Sequence, residues 1–188
     1  MAIFYTVDRS GSLSEGLTID LYNENESFVY NCNIGECSKP FSLSGLSSHG
    51  WYHYHNHSTQ SGQYEFNLEC IRRVFYPNKP SRLQSMFAWG HFNHAVNFIH
   101  QKNYFPESGV FYIFEFEATN FHKGDMSFCS PQYQGLMDSR FKQYWAGDFD
   151  LSSQSEHQYE FLIPLPITIR RLVLIYHKFE IRNFISCE

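Results

Sequence analysis

The chain has 188 residues, with 14 basic against 19 acidic side chains and a formal net charge of −5. That length favours one domain over two, and the acidic balance argues against a broad phosphate-binding surface. A hydrophobic content of 43% excludes disorder, and an aromatic content of 19% is the unusual feature to be explained.

Ile3–Val7 reads as a strand, Asp8–Gly16 as a turn segment and Leu17–Leu21 as a second strand. Residues 22–62 are rich in Ser, Asn, Gly and His and read as a loop-rich insertion or lid. Within it, His53, His55 and His57 alternate. On a strand such histidines share a face and two could reach one ion. No carboxylate or cysteine adjoins them, so the segment is read as a polar loop and no metal is expected.

Phe66, Cys70, Ile71, Val74 and Phe75 follow helical spacing, and Pro77 and Pro80 end that helix. Ser85–Trp89 reads as a buried strand. Phe92, Ala95, Val96 and Ile99 then mark an amphipathic helix. Val110–Ala118 is the clearest strand, with Val110, Tyr112, Phe114, Phe116 and Ala118 on one face and Glu115 and Glu117 on the other. A short helix is expected over 136–146 and a polar loop over 147–157. Strands follow at 158–163, 167–176 and 179–185. Strands with few helices in no regular alternation make an α+β domain over 1–188.

The five cysteines, Cys32, Cys37, Cys70, Cys129 and Cys187, have scattered spacings and read as free thiols in a reducing compartment. The first residues lack the apolar run of a signal peptide. No stretch approaches the ~18 apolar residues of a membrane span. The chain is therefore read as cytoplasmic when synthesised, without a membrane partner. GxSxG, HExxH, GxxxxGK[ST] and GxGxxG are all missing, which removes the commonest hydrolase, zinc-protease, P-loop and Rossmann readings.

Gln158-Tyr159-Glu160 closes a polar loop and opens an apolar strand. On a strand Gln158 and Glu160 share a face, about 6.6–6.8 Å apart, and both could touch one small ligand.

Three segments in order resemble the ADP-ribosyltransferase superfamily, to which cholera toxin and the DarT toxins belong. They are Phe4–Arg9, then Ser85–Trp89 with the helix after it, then Phe111–Asp125 together with Gln158–Tyr176. An uncharacterised bacterial domain-of-unknown-function family is also similar, through the FY-x-VDR start, the block Lys79–Ala88 and the element Tyr144–Gly147. The resemblance implies split mixed β-sheets with flanking helices around an NAD cleft. It also implies a mono-ADP-ribosyltransferase, a glycosyltransferase that cleaves the nicotinamide–ribose bond and passes ADP-ribose to a macromolecule. NAD would be its substrate and no metal would be needed. The superfamily includes bacterial toxins and effectors, which here would be delivered without a cleavable signal peptide.

Carried over residue by residue, the resemblance makes Glu160 the catalytic carboxylate that stabilises an oxocarbenium-like transition state. Gln158 would stand beside the acceptor and argue against arginine as the target. Tyr5, Thr6, Arg9, Arg82, Ser85, Phe87 and Trp89 would border NAD, with Ser85 fixing Glu160 by a hydrogen bond and Phe87 or Trp89 stacking on nicotinamide. Thr6 stands where the superfamily has Arg or His, and its hydroxyl cannot make a forked contact. The net charge favours a protein acceptor over nucleic acid. The alternatives are an NAD glycohydrolase and a catalytically inactive NAD-fold module that binds a partner protein.

Overall fold

The computed structural model describes residues 1–22, 45–56, 58–101, 109–129, 137–148, 159–177 and, for the backbone, 180–183. Among these residues there are eight strands: β1 (Ala2–Asp8), β2 (Thr18–Ile19), β3 (Ser85–Ala88), β4 (Val110–Ala118), β5 (His122–Asp125), β6 (Tyr159–Pro164), β7 (Ile167–His177) and β8 (Glu180–Asn183). Four α-helices accompany them: α1 (Ser48–His55), α2 (Gln60–Phe75), α3 (Phe92–Gln101) and α4 (Met137–Ala146).

The strands form two sheets. One runs β1-β4-β7, with β2 and β8 both on the outer edge of β7; the other runs β3-β6-β5. Every described pairing is antiparallel, where mixed sheets were expected. Short turns from β4 to β5 and from β6 to β7 carry the chain from one sheet to the other. The backbones of the two sheets join where Tyr5 N–H donates to the Trp89 carbonyl at 2.9 Å and Trp89 N–H returns a bond to the Tyr5 carbonyl at 2.8 Å.

Strand β4 shows why the aromatic content is high. Its Phe114 and Phe116 meet Phe4, Ala88, Ile163 and Ile169 between the sheets. Its opposite face is apolar as well, and Phe111 and Ile113 pack with Leu174 under Ala95 and Ile99 of α3. The clean alternation expected of β4 is broken by register shifts after Ile113 and after Glu115. Glu115 is buried, and Arg171 reaches it with two bonds of 3.1 and 3.0 Å. A third cluster lies on the outer face of the smaller sheet, where Leu162 meets Leu68 of α2 and Phe141, Tyr144 and Trp145 of α4. Among the described residues the rings thus fill these three layers and a smaller fourth cluster, where Tyr54 meets Leu46 and Leu83.

One stretch read as loop is helical. Ser47 caps α1, its side chain accepting from Gly50 N–H at 3.1 Å, and Thr59 caps α2 in the same way through Gly62. Gly50 is needed for packing: a Cβ there would lie 2.0 Å from the Leu83 carbonyl oxygen. Residues 23–44 and 57, within the expected insertion, lie outside the described residues.

Candidate functional site

The site is assembled around a 3₁₀ turn, Arg82–Gln84, that leads into β3. Pro80 keeps the preceding chain extended. Ser81 caps the turn, its side chain accepting from Leu83 N–H at 3.2 Å. This sends the Arg82 side chain inward, where it is almost wholly buried. A buried guanidinium needs acceptors. Two come from α2: Arg82 Nε donates to Glu65 Oε2 at 2.8 Å and Nη2 to Oε1 at 2.9 Å. The third nitrogen, Nη1, donates to the Tyr144 hydroxyl at 2.8 Å and to Glu160 Oε1. Tyr144 in turn donates to the same Glu160 oxygen at 2.7 Å.

Strand pairing explains why Tyr144 reaches so deep. Gly124 of β5 sits opposite Glu160 of β6, and the Tyr144 ring occupies the space a side chain at 124 would take. Phe87 closes another wall, its ring 4.8 Å from the Arg82 guanidinium carbon. His49 packs on Phe87 with ring centroids 4.4 Å apart.

The electrostatics follow from this packing. Burial alone would push the Glu65 carboxyl up, but the Arg82 charge and its two bonds outweigh it, and the group is held well below the usual carboxylate range. Burial likewise works against the charged Arg82, yet Glu65 raises its pKa further above an already high value. Burial lifts the Tyr144 hydroxyl above its ordinary value. Burial and then His49 lower the pKa of His53. Cys129 is pushed up to about 12 by burial, which makes it an unreactive thiol at neutral pH.

Of the residues expected at an NAD site, the fold brings Glu160, Arg82 and Phe87 together. Ser85 is buried nearby, but its hydroxyl donates to the Ser81 carbonyl at 2.7 Å rather than to Glu160; Arg82 and Tyr144 hold Glu160 instead. Thr6 donates to the Phe87 carbonyl at 3.0 Å, tying β1 to β3. Tyr5 and Trp89 face α3, the first against Phe92 at 5.8 Å and the second against Phe98 at 4.5 Å between ring centroids. Arg9 is exposed beyond the end of β1. Gln158 lies outside the described residues. A concavity of about 590 Å³ lined by Glu117, Asn120, Pro164, Pro166, Thr168 and Arg170 lies at the other end of β6, away from Glu160.

The residues sequence reasoning missed are Glu65, Tyr144 and His49. Glu65 and Glu69 stand one helical turn apart beside the apolar stripe of α2, and both are buried. Paired acids at that spacing in an otherwise apolar-faced helix were the available signal.

The sequence matches, over residues 4–175, a family described as protein of unknown function (DUF2441). The chain belongs to this family. No curated protein matches it. The DUF2441 match begins at Phe4 and ends at Ile175, so it takes in β1, Arg82, Tyr144 and Glu160 alike. Among the described residues of this DUF2441 chain, no helix is long and apolar enough to cross a membrane.

Proposed function

We propose that the protein is a mono-ADP-ribosyltransferase in which Glu160 faces the ribose of NAD. The observation that carries this reading is the asymmetry of the Glu160 carboxylate. Both of its bonds, from Arg82 and from Tyr144, fall on Oε1. Among the described residues nothing donates to Oε2. A buried carboxylate with one oxygen anchored and the other open is suited to accept a ribose hydroxyl and to offset positive charge growing at the anomeric carbon. Two sheets meeting at the Tyr5–Trp89 bridge, with Glu160 on the central strand of the smaller one, support the split-sheet architecture that the sequence resemblance implies.

In the reaction the nicotinamide–ribose bond breaks and nicotinamide leaves with the bonding electrons. A nucleophile of the acceptor then forms the new bond to the anomeric carbon and loses its proton. The net charge of −5 favours a protein acceptor. Arg82 remains bound to Glu65 through two nitrogens that do not touch Glu160, so it can position the carboxylate without leaving its own partner.

A second reading, a partner-binding module without turnover, is favoured by Thr6, whose hydroxyl is spent on the Phe87 carbonyl. One experiment separates them. The protein and its Glu160→Gln variant are incubated with adenylate-labelled NAD and cell lysate, and both are checked for folding by circular dichroism. Label on a macromolecule that is lost in the variant supports transfer. Free ADP-ribose with no labelled acceptor supports glycohydrolase activity. The absence of both NAD turnover and NAD binding by calorimetry would overturn both enzyme readings.

A further inference from the structure

We propose that His49, His53 and Glu65 form a binding site for a divalent transition-metal ion of the zinc class. The site is independent of the NAD reading. It sits on the α1 and α2 side of Arg82, and it uses none of the atoms assigned to the ribose.

The case begins with spacing. His49 and His53 are four residues apart on α1, so both rings leave the same face of the helix. Two histidines at that spacing form a bidentate clamp for zinc. Gly50 lies between them and lets α1 press against the Leu83 backbone, which brings the clamp down onto α2. Glu65 then supplies an oxygen. Ligand atoms of the three residues all lie within 4.8 Å of one another. Two ligands held tetrahedrally by one zinc at about 2.0–2.2 Å are ~3.3–3.6 Å apart, so side-chain rotations of about an ångström would close the site.

The second observation is unmet bonding capacity. His49 Nε2 and His53 Nδ1 are both shielded from solvent and have no hydrogen-bond partner among the described residues. His49 Nε2 stands 3.3 Å from Glu65 Oε1, but without the alignment of a hydrogen bond. Buried polar atoms are normally satisfied. Two ring nitrogens left over beside a carboxylate fit a common Lewis acid.

The surroundings favour a cation over a second anion. Two carboxylates, Glu65 and Glu160, face one guanidinium, so with neutral imidazoles the cluster carries one net negative charge. Arg82 would remain as the outer donor to Glu65, and ligating carboxylates are commonly hydrogen-bonded in this way. Two imidazoles and one carboxylate suit zinc and its neighbours better than magnesium or calcium. Three protein ligands leave a fourth position open, the pattern of a site that takes water or a further ligand. The His49 side chain is 27% exposed, which gives the ion a way in.

The test uses the full chain stripped with a chelator and titrated with cobalt(II), read by visible absorption, and with zinc, read by calorimetry. The expected result is one equivalent bound, with the intense absorption of four-coordinate cobalt. His49→Ala and His53→Ala should each weaken binding by more than about 100-fold, the upper range for losing a mere outer-shell contact. His91→Ala, on the start of a different helix, should leave it unchanged. Circular dichroism confirms that each variant is folded. The proposal is overturned by weak six-coordinate cobalt absorption, by no binding at all, or by folded His49→Ala and His53→Ala proteins that bind like the parent.

Discussion

Arg82 grips Glu65 with two nitrogens, at 2.8 and 2.9 Å, and both side chains are buried. The same guanidinium reaches Glu160, so one cation holds two carboxylates from α2 and β6. Removing it leaves both acids buried and facing each other. Arg82→Ala is expected to cost about 3–5 kcal/mol of stability. Arg82→Lys keeps the charge but cannot fork, and should cost about 2 kcal/mol. Urea unfolding measures both. A loss below about 1 kcal/mol in Arg82→Ala would mean the pair does not hold α2 to the smaller sheet.

Tyr144 is the second anchor of Glu160. Tyr144→Phe removes one hydroxyl and leaves the ring packed against His122 and Trp145. Glu160 then keeps only Arg82. On the proposed transferase reading, NAD turnover is expected to fall by roughly 10- to 150-fold, since a hydrogen bond to a charged acceptor is worth about 1.5–3 kcal/mol. The fall should appear in kcat more than in KM, because the bond positions the carboxylate rather than touching NAD. Unchanged turnover in a folded variant would show that Arg82 alone orients Glu160.

How much of this was readable in the chain depends on periodicity. Helix α3 and strand β4 carry strong apolar patterns, and the structure places them where that pattern does. Helix α1 has no apolar stripe. Its sequence WYHYH reads as polar loop, and its helix follows instead from the Ser47 cap and from the close approach at Gly50. Read as a polar loop, the segment offered His53 and His55 as a pair only through strand alternation. On a helix the partner of His53 is His49. At the site, Glu160 stood out locally at the mouth of a strand. Its partners did not, because Arg82 lies 78 positions away and Tyr144 lies 16 away on another element. Ion pairs between distant residues leave no local pattern.

Gly124 should be intolerant for a reason unrelated to backbone conformation. A Cβ there would lie 2.2 Å from Tyr144 Cε2. Gly124→Ala must push the ring aside, and with it the hydroxyl bonded to Glu160 and Arg82. Overpacking of this kind costs about 1–3 kcal/mol. The loss should be non-additive with Tyr144→Leu, since a smaller side chain removes the clash. A double-mutant cycle in urea reads the coupling. Fully additive losses would place the strain elsewhere.

His122 gives the fold a stability loss in mild acid. Its Nε2–H donates to the Tyr144 carbonyl at 3.0 Å, and its ring stacks on Trp145 with centroids 5.2 Å apart. Burial, reinforced by Lys79, lowers its pKa to about 4, against about 6.5 when unfolded. Above pH 6.5 the ring is neutral in both states and costs nothing. Between pH 6.5 and about 4 the unfolded chain takes up a proton that the folded one refuses, so stability falls with falling pH across that window. The full loss is on the order of 3 kcal/mol. The depressed carboxyl of Glu65 adds its own loss from the ordinary carboxylate pKa downward, so only the lower end of the His122 window is shared with it. His122→Gln retains a donor for the Tyr144 carbonyl but does not titrate. Urea midpoints of parent and variant should run parallel above pH 6.5 and below pH 4 and change their separation in between, with the slope of that window missing from the variant. An identical slope in the two proteins would assign the acid sensitivity to another group.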